Sequence, residues 1–342
     1  MRKSLVLVLD PISELVEHAR AAEDAGFDSV WLTDFNNRDA FVRMAAVAQA
    51  TRRIGIASGI AYAFARSPVL TAAAAADVDE IANGRLILGL GTGTKRMQES
   101  WYSLTFESPA PKAAEVVHLL RAIWEAPSGR PFRFDGRFYN VKIDLFARPG
   151  RVRSNILVYL AGVNRLMVRT AGEVADGLVG HPLYSRRYLE EVARPAAVDG
   201  LKRSGRERDE FDLAGYVITS ISDDVEQARE EARRQIAFYA TTHTYDSILD
   251  LHGWEREKTG IREAFRSFDF AAMSGFVTDE MLEQIAVTGT PDDCRRQLSR
   301  YEGLLDHVLL YPPSVGVPPD RVKENYRLMM EEFGQITSGN TE

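Results

Sequence analysis

An amphipathic helix, a glycine stop and a short aliphatic strand recur along this chain, and the repeat limits the fold more than any other feature. It appears as HARAAEDAGF then DSVWL, as AAAADVDEIANG then RLILGL, as VRTAGEVADG then LVGH, and as RRQLSRYEGLLD then HVLLY. Strands fed by intervening helices lie parallel, because parallel neighbours cannot be joined by tight turns. The pattern predicts strands near 4–9, 28–33, 54–59, 85–90, 156–161, 177–181, 213–219 and 306–311. Helices are expected near 12–25, 38–50, 68–82, 109–125, 163–174, 184–203, 223–239 and 319–334. Eight of each point to a single TIM-like (β/α)8 barrel spanning residues 1–342. A doubly wound open sheet would want a glycine fingerprint after the first strand, where LVLDPISEL has none. Two stretches interrupt the rhythm as insertions. Residues 128–150 read as a β-hairpin turning at Asp135-Gly136, and residues 241–288 read as short helices after the seventh helix.

Composition removes several classes of function. A net charge of −7 with no basic stripe argues against nucleic acid. The single cysteine, Cys294, excludes an internal disulfide and a thiolate metal cluster, and TPDDCRRQL sets it on a helix. No HExxH, CxxC or carboxylate cluster occurs, so no metal is expected. The N-terminal MRKSLVLVLD is too short an apolar run for a signal peptide or a membrane span, and a reducing cytoplasm fits.

The stretch GRLILGLGTGTKRM, residues 84–97, carries the strongest local signal for a ligand. A P-loop needs a second glycine where Thr94 stands and a Ser or Thr where Arg96 follows Lys95. The dinucleotide fingerprint fails too, since its third glycine falls on Thr94 or Arg96. What is left is a buried strand ending in exposed backbone N–H groups and two hydroxyls. Such a loop suits a flat heterocycle or an anion, and equally a steric turn.

In a barrel of this kind the site lies just after the strands. The residues there are Asp10-Pro11, Asp34 to Asn37, Ser58 to Tyr62, Gly91-Thr92-Gly93-Thr94, Ala161-Gly162-Val163-Asn164, Gly180-His181 and Tyr311 to Pro313. Hydroxyls, amides and glycines dominate. No GxSxG or Ser/His/Asp pattern is present, so a cofactor must supply any difficult chemistry. Asp34, flanked by apolar Trp31 and Phe35, reads either as a proton donor or as a helix cap and partner for Arg38. The pairs Lys95-Arg96 and Arg186-Arg187 read as solvated surface or as a grip on one anionic tail.

Taken together, DAGFDSVWLTD, IGIASGIAYAFARSP, NGRLILGLGTGTKRMQESWY, ILVYLAGVNRLMVRTAGEVADGLVGH and TGTPDDCRRQLSRYEG resemble the bacterial luciferase-like superfamily of flavin and deazaflavin oxidoreductases, in its methylenetetrahydromethanopterin reductase-like branch. The resemblance implies coenzyme F420, or alternatively FMN, at the mouth of the barrel. It places Gly91, Thr92, Gly93 and Thr94 along the cofactor, Ala161, Gly162, Val163 and Asn164 near its ring, and Gly177, Gly180 and His181 near its phosphate. It also implies a non-proline cis peptide at Ala57-Ser58 backing the ring. Asp34, helped by Thr94 or Tyr62, would manage the proton. The catalytic His and Glu of the sugar-phosphate dehydrogenases in the superfamily are absent here, replaced by Phe35 and Thr94. The expected activity is F420-dependent hydride transfer to a small organic substrate bordered by the 241–288 insertion. The alternatives are an FMN-dependent monooxygenase and a barrel that binds flavin without turnover. A homodimer and a reductase that supplies reduced cofactor complete the expected partners.

Overall fold

Alternation of buried aliphatic strands with amphipathic helices closes the chain into a barrel. The computed structural model describes residues 1–150, 152–153 and 155–335. Twelve strands are present among them: β1 (Arg2–Leu7), β2 (Ser29–Leu32), β3 (Gly55–Ser58), β4 (Ala61–Tyr62), β5 (Leu86–Gly91), β6 (Phe132–Asp135), β7 (Asn140–Ile143), β8 (Leu157–Gly162), β9 (Gly177–Gly180), β10 (Asp212–Ile221), β11 (Ala286–Gly289) and β12 (His307–Tyr311). Eight of them form the closed parallel ring β1-β2-β3-β5-β8-β9-β10-β12, with β12 returning to β1. All eight strands expected from the pattern are in the ring. Their residues are mostly apolar because the interior is packed with side chains and the exterior is covered by helices, and buried polar ones such as Ser4, Ser29 and His307 hydrogen-bond within the barrel.

The helices follow the expected segments closely, as in Ile12–Asp24, Pro68–Ile81, Pro109–Glu125 and Pro319–Phe333. In Pro68–Ile81 the alanine run places Ala72, Ala75 and Ala76 fully against the barrel, and small side chains let helix and strands approach. Cys294 lies buried on helix Pro291–Leu298, and burial pushes its thiol up to about 12, which leaves it inert.

Both insertions take more definite forms than the pattern suggests. The hairpin β6–β7 is antiparallel, and its loop Gly136 to Tyr139 is held by one carboxylate. Glu115 accepts from the backbone N–H groups of Arg137, Phe138 and Tyr139 at 2.9, 2.8 and 2.7 Å. The second insertion is helical through Asp279–Ile285 but ends in β11, which pairs in parallel with the outer part of β10. AVTG has too few residues to show a strand period, and it finds its partner along Ile218 to Ile221 at the buried end of the ten-residue β10. No helix among the described residues is long and apolar enough to cross a membrane.

Candidate active site

Strand β3 ends in a bulge that shapes the mouth of the barrel. The non-proline cis peptide lies at Gly59-Ile60, two residues beyond the expected Ala57-Ser58. Ala57 and Ser58 instead sit fully buried in β3, where Ser58 Oγ donates to the Gly89 carbonyl at 2.8 Å. Only Gly59 fits at the bend, because a Cβ there would run into the Tyr216 hydroxyl and the Trp31 ring. The Tyr216 hydroxyl donates to the Gly59 carbonyl, and Gly59 N–H donates to Leu32 O at 2.7 Å.

The bulge sends the Ile60 side chain onto the end of β5. A Cβ on Gly91 would overlap Ile60 Cδ1 and come within 3.2 Å of Ala161 Cβ. Ile60, Gly91 and Ala161 therefore form a small apolar floor from three neighbouring strand ends. Gly91 is glycine because Ile60 occupies the space of its side chain.

Beyond Gly91 the chain turns through Thr92, Gly93 and Thr94 into helix Lys95–Trp101. Gly93 adopts φ +64°, the left-handed region that a Cβ disfavours. Thr94 caps the helix, accepting from Met97 N–H at 3.3 Å, and Thr92 Oγ1 donates to Gly93 O at 2.9 Å. Fully buried Gln98 supports the turn from beneath: its Nε2 donates to Thr92 O at 2.7 Å, while its Oε1 has no partner. An unmatched buried acceptor directly under this loop fits a ligand or water that brings a donor.

Asp34 is bound through both oxygens. Oδ1 accepts from Ala40 N–H at 2.6 Å and Oδ2 from Tyr62 N–H at 3.0 Å. The carboxylate ties the start of helix Ala40–Ala50 to β4, while Asp39 is the residue at the helix cap. Tyr62 is buried beside Tyr102, ring centroids 5.6 Å apart, and burial raises its phenol well above the ordinary value. It stays protonated at neutral pH and can act only as a donor or neutral acceptor.

On the opposite side, His181 follows β9 in an aromatic setting. Its ring stacks on Tyr245 at 3.9 Å and 27° and meets Tyr239 edge-on at 4.9 Å. Nδ1 accepts from Leu183 N–H at 3.1 Å, so the proton of the neutral ring is assigned to Nε2. Burial pulls the imidazole down to about 3. A histidine whose folded pKa lies below its unfolded one contributes stability that is present at neutral pH and lost as pH falls from about 6.5 toward 3. Imidazole resonances of His181 should accordingly stay neutral between pH 8 and 5 in an NMR titration. A midpoint near 6.5 would place the ring in open solvent.

The first part of the second insertion covers the ends of β8 and β9. Ser247 Oγ donates to Asn164 Oδ1 at 3.1 Å, Ser185 and His252 pair at 2.7 Å, and Arg187 Nη1 donates to Leu251 O at 3.0 Å. Tyr188 OH reaches Val163 O at 2.7 Å, and Tyr184 OH donates to Gly162 O at 2.7 Å. Residues beyond Trp254 pack against helix Val225–Ala240 instead.

The structure thus brings Tyr62, Gly91 to Thr94, Ala161 to Asn164, Gly180 and His181 to one end of the barrel. Gly177 does not join them. It opens β9 at the far end, where a Cβ would strike the Tyr159 ring and Asp212 O. Gly180 is close to the mouth but is filled by the Tyr184 ring. Arg187 is paired with Glu191 at 2.8 Å, and Arg186 lies close enough to buried Tyr301 for its charge to act on that phenol. Only Lys95 and Arg96 of the expected cation track are exposed beside the glycine loop, with Lys95 3.8 Å from Glu99. Ile60 falls within the stretch after strand three that the pattern singles out, whereas Tyr245 carries no signal there because it matters through His181, distant in sequence. Gln98 has only a local hint, being one helical turn after Thr94. Among the described residues no three His, Cys, Asp or Glu side chains group to hold a metal.

The luciferase-like monooxygenase family model matches residues 2–307. This chain belongs to that family. It is an oxidoreductase, and the proteins it resembles include reductases and monooxygenases. It is 37% identical over 305 residues to an uncharacterised protein of Mycobacterium tuberculosis, covering 87% of this chain and 89% of that one. It is 31% identical over 287 residues to the 5,10-methylenetetrahydromethanopterin reductase of Archaeoglobus fulgidus, covering 82% and 83%. Among solved structures, the coenzyme F420-dependent tetrahydromethanopterin reductase of Methanopyrus kandleri superposes with a TM-score of 0.84 at 25% identity over 97% of each chain. An F420-dependent secondary alcohol dehydrogenase shares the fold, with a TM-score of 0.73 at 21% identity over 96% of this chain and 98% of that one.

Proposed function

We propose that this luciferase-like protein is an F420-dependent oxidoreductase that exchanges a hydride with a small organic substrate at the barrel mouth. The observation that carries the reading is the floor formed by Ile60, Gly91 and Ala161 beside the Gly91–Thr94 turn. A flat apolar patch edged by backbone N–H groups and the unmatched Gln98 acceptor suits a planar heterocycle with polar edges. A solved structure named as an F420-dependent tetrahydromethanopterin reductase shares this chain's fold over 97% of its length, and a relative named as a 5,10-methylenetetrahydromethanopterin reductase is similar in sequence over 82% of it.

The deazaflavin supplies the hydride chemistry when bound. The chain's own residues bind, orient and protonate. Ile60 and Ala161 back the ring, and Thr92 to Thr94 offer backbone donors along its side chain. Tyr62 holds a protonated phenol at the mouth, kept in register by the Asp34 carboxylate on its backbone N–H. Thr94 spends its hydroxyl oxygen as a helix cap but keeps its proton to donate. His181 stays neutral and closes the side of the site nearest the second insertion.

The cofactor choice follows from charge. F420 ends in a carboxylate-bearing tail, and exposed Lys95 and Arg96, directly after the glycine loop, are cations with which such a tail would pair. Titration of the purified protein with each cofactor should show tighter binding of F420 than of FMN. The difference should narrow as salt rises and on replacing Lys95 and Arg96 with Ala, because exposed pairs contribute about 1 kcal/mol or less each and are screened. FMN binding as tight or tighter at low ionic strength, with oxygen consumed by the reduced flavin complex, would reverse the assignment in favour of a monooxygenase.

A further inference from the structure

Among the described residues, three carboxylates near the ends of β1 and β2 are engaged, and the Arg38 guanidinium beside them pairs with none of the three. Asp10 pairs with Arg43, Asp39 pairs with Arg66, and Asp34 takes two backbone N–H groups. Arg38, in the turn between β2 and helix Ala40–Ala50, has no carboxylate within ion-pair distance among the described residues. Its Nη1 donates to Val8 O, just beyond β1, at 3.3 Å, and its Nε donates to Asn37 Oδ1 at 3.2 Å. Neither N–H of Nη2 has a partner among the described residues. The side chain is half-buried, so these donors are held in place by the end of β1 and are not free to wander into solvent. Its charge acts on the phenols of Tyr62 and Tyr311, from two other strand ends.

Aromatic surface surrounds this cation. The Phe35 ring lies 5.8 Å from the guanidinium carbon, and Phe35 meets Trp101 edge-on at 5.2 Å. Both rings are 41% exposed, which is costly for side chains of this size unless something covers them. Trp101 leads through Tyr102 to Tyr62, the proposed proton donor. A fixed guanidinium fork next to exposed ring faces selects a planar carboxylate joined to an aromatic body.

We propose that Arg38 anchors the carboxylate of an aromatic substrate whose ring lies against Phe35 and Trp101. The assignment rests on the mouth being the reaction site and names the substrate class for it. Carboxylates could also come from the tail of F420, and the two sources are separable.

Benzoate is the probe, with benzamide as its uncharged counterpart, titrated calorimetrically into F420-loaded, FMN-loaded and cofactor-free protein. Benzoate should saturate the wild-type protein and bind at least ten-fold more tightly than benzamide. Arg38→Gln should weaken benzoate at least ten-fold while F420 affinity and melting temperature hold. Arg38→Lys, which keeps the charge without the fork, should fall between the two and serves if the Gln variant folds poorly. Benzoate that fails to saturate the wild type, or binds Arg38→Gln equally well, overturns the proposal. So does a loss of F420 affinity in Arg38→Gln, which would assign the guanidinium to the cofactor. Failure of F420 to bind the wild type defeats the deazaflavin reading alone, since the FMN-loaded and cofactor-free titrations still report on Arg38.

Discussion

Gly89→Ala should melt well below the parent protein, by on the order of 5 °C, and should lose cofactor binding with it. The added Cβ would overlap the carbonyl oxygen of Ser58 and approach the Trp31 ring at 3.5 Å. The obstacle is backbone, so no rotamer change can relieve it. Strand β3 turns away from β5 after pairing Ile56 with Leu86 and Ala57 with Ile87, and its carbonyl crosses directly over Gly89. Moving that carbonyl moves the bulge carrying Ile60, and it also breaks the Ser58 Oγ bond to Gly89 O. Overpacking of this kind costs about 3 kcal/mol. Gly275→Ala is the matched control, since nothing lies within 4 Å of its added Cβ. Equal melting temperatures for the two variants would show that the bulge adapts, and the rigid floor proposed for the cofactor would then lose its support.

Asp34→Asn should lower thermal stability and should slow turnover through Tyr62. The amide keeps one acceptor oxygen and turns an NH2 toward either Ala40 N–H or Tyr62 N–H, where a carboxylate oxygen had accepted. Leaving one such donor unmatched costs about 1–3 kcal/mol. If the carboxylate acts by holding Tyr62, the double variant Asp34→Asn/Tyr62→Phe should turn over no more slowly than Tyr62→Phe alone. A carboxyl that itself transfers the proton gives the opposite pattern. Turnover of Asp34→Asn would drop on the order of a hundred-fold, and the two substitutions would add. Melting curves of the four proteins, with re-oxidation of reduced cofactor by an accepted substrate, separate the cases.

The pattern of strands, stops and helices already contained the barrel. Eight aliphatic strands spaced by helices leave little else to build, since each strand must be buried on both faces. The residues after the strands were legible for the same reason, and the Gly91–Thr94 loop stands at the mouth as its position after β5 implies. Elements that depend on an edge or on a distant partner were not legible. Strand β11 needs the outer half of β10, and the cis bond at Gly59-Ile60 lies where Tyr216 and Trp31 leave room only for glycine.

Glycines divide along the same line. Gly91 and Gly177 look alike in sequence, each beside an aliphatic strand segment, yet one makes room for Ile60 at the mouth and the other for Tyr159 at the opposite end. Charges divide similarly. Arg38 and Arg187 are equivalent cations in the sequence, but Glu191 takes Arg187, while Arg38 donates from Nη1 and Nε to Val8 O and Asn37 and pairs with no carboxylate among the described residues. Periodicity reports which face of an element is buried, and so the sequence by itself determined the fold and the end of the barrel that carries the site. Which side chains share that end with their polar atoms unspent depends on three-dimensional neighbours, and only the tertiary structure decided it.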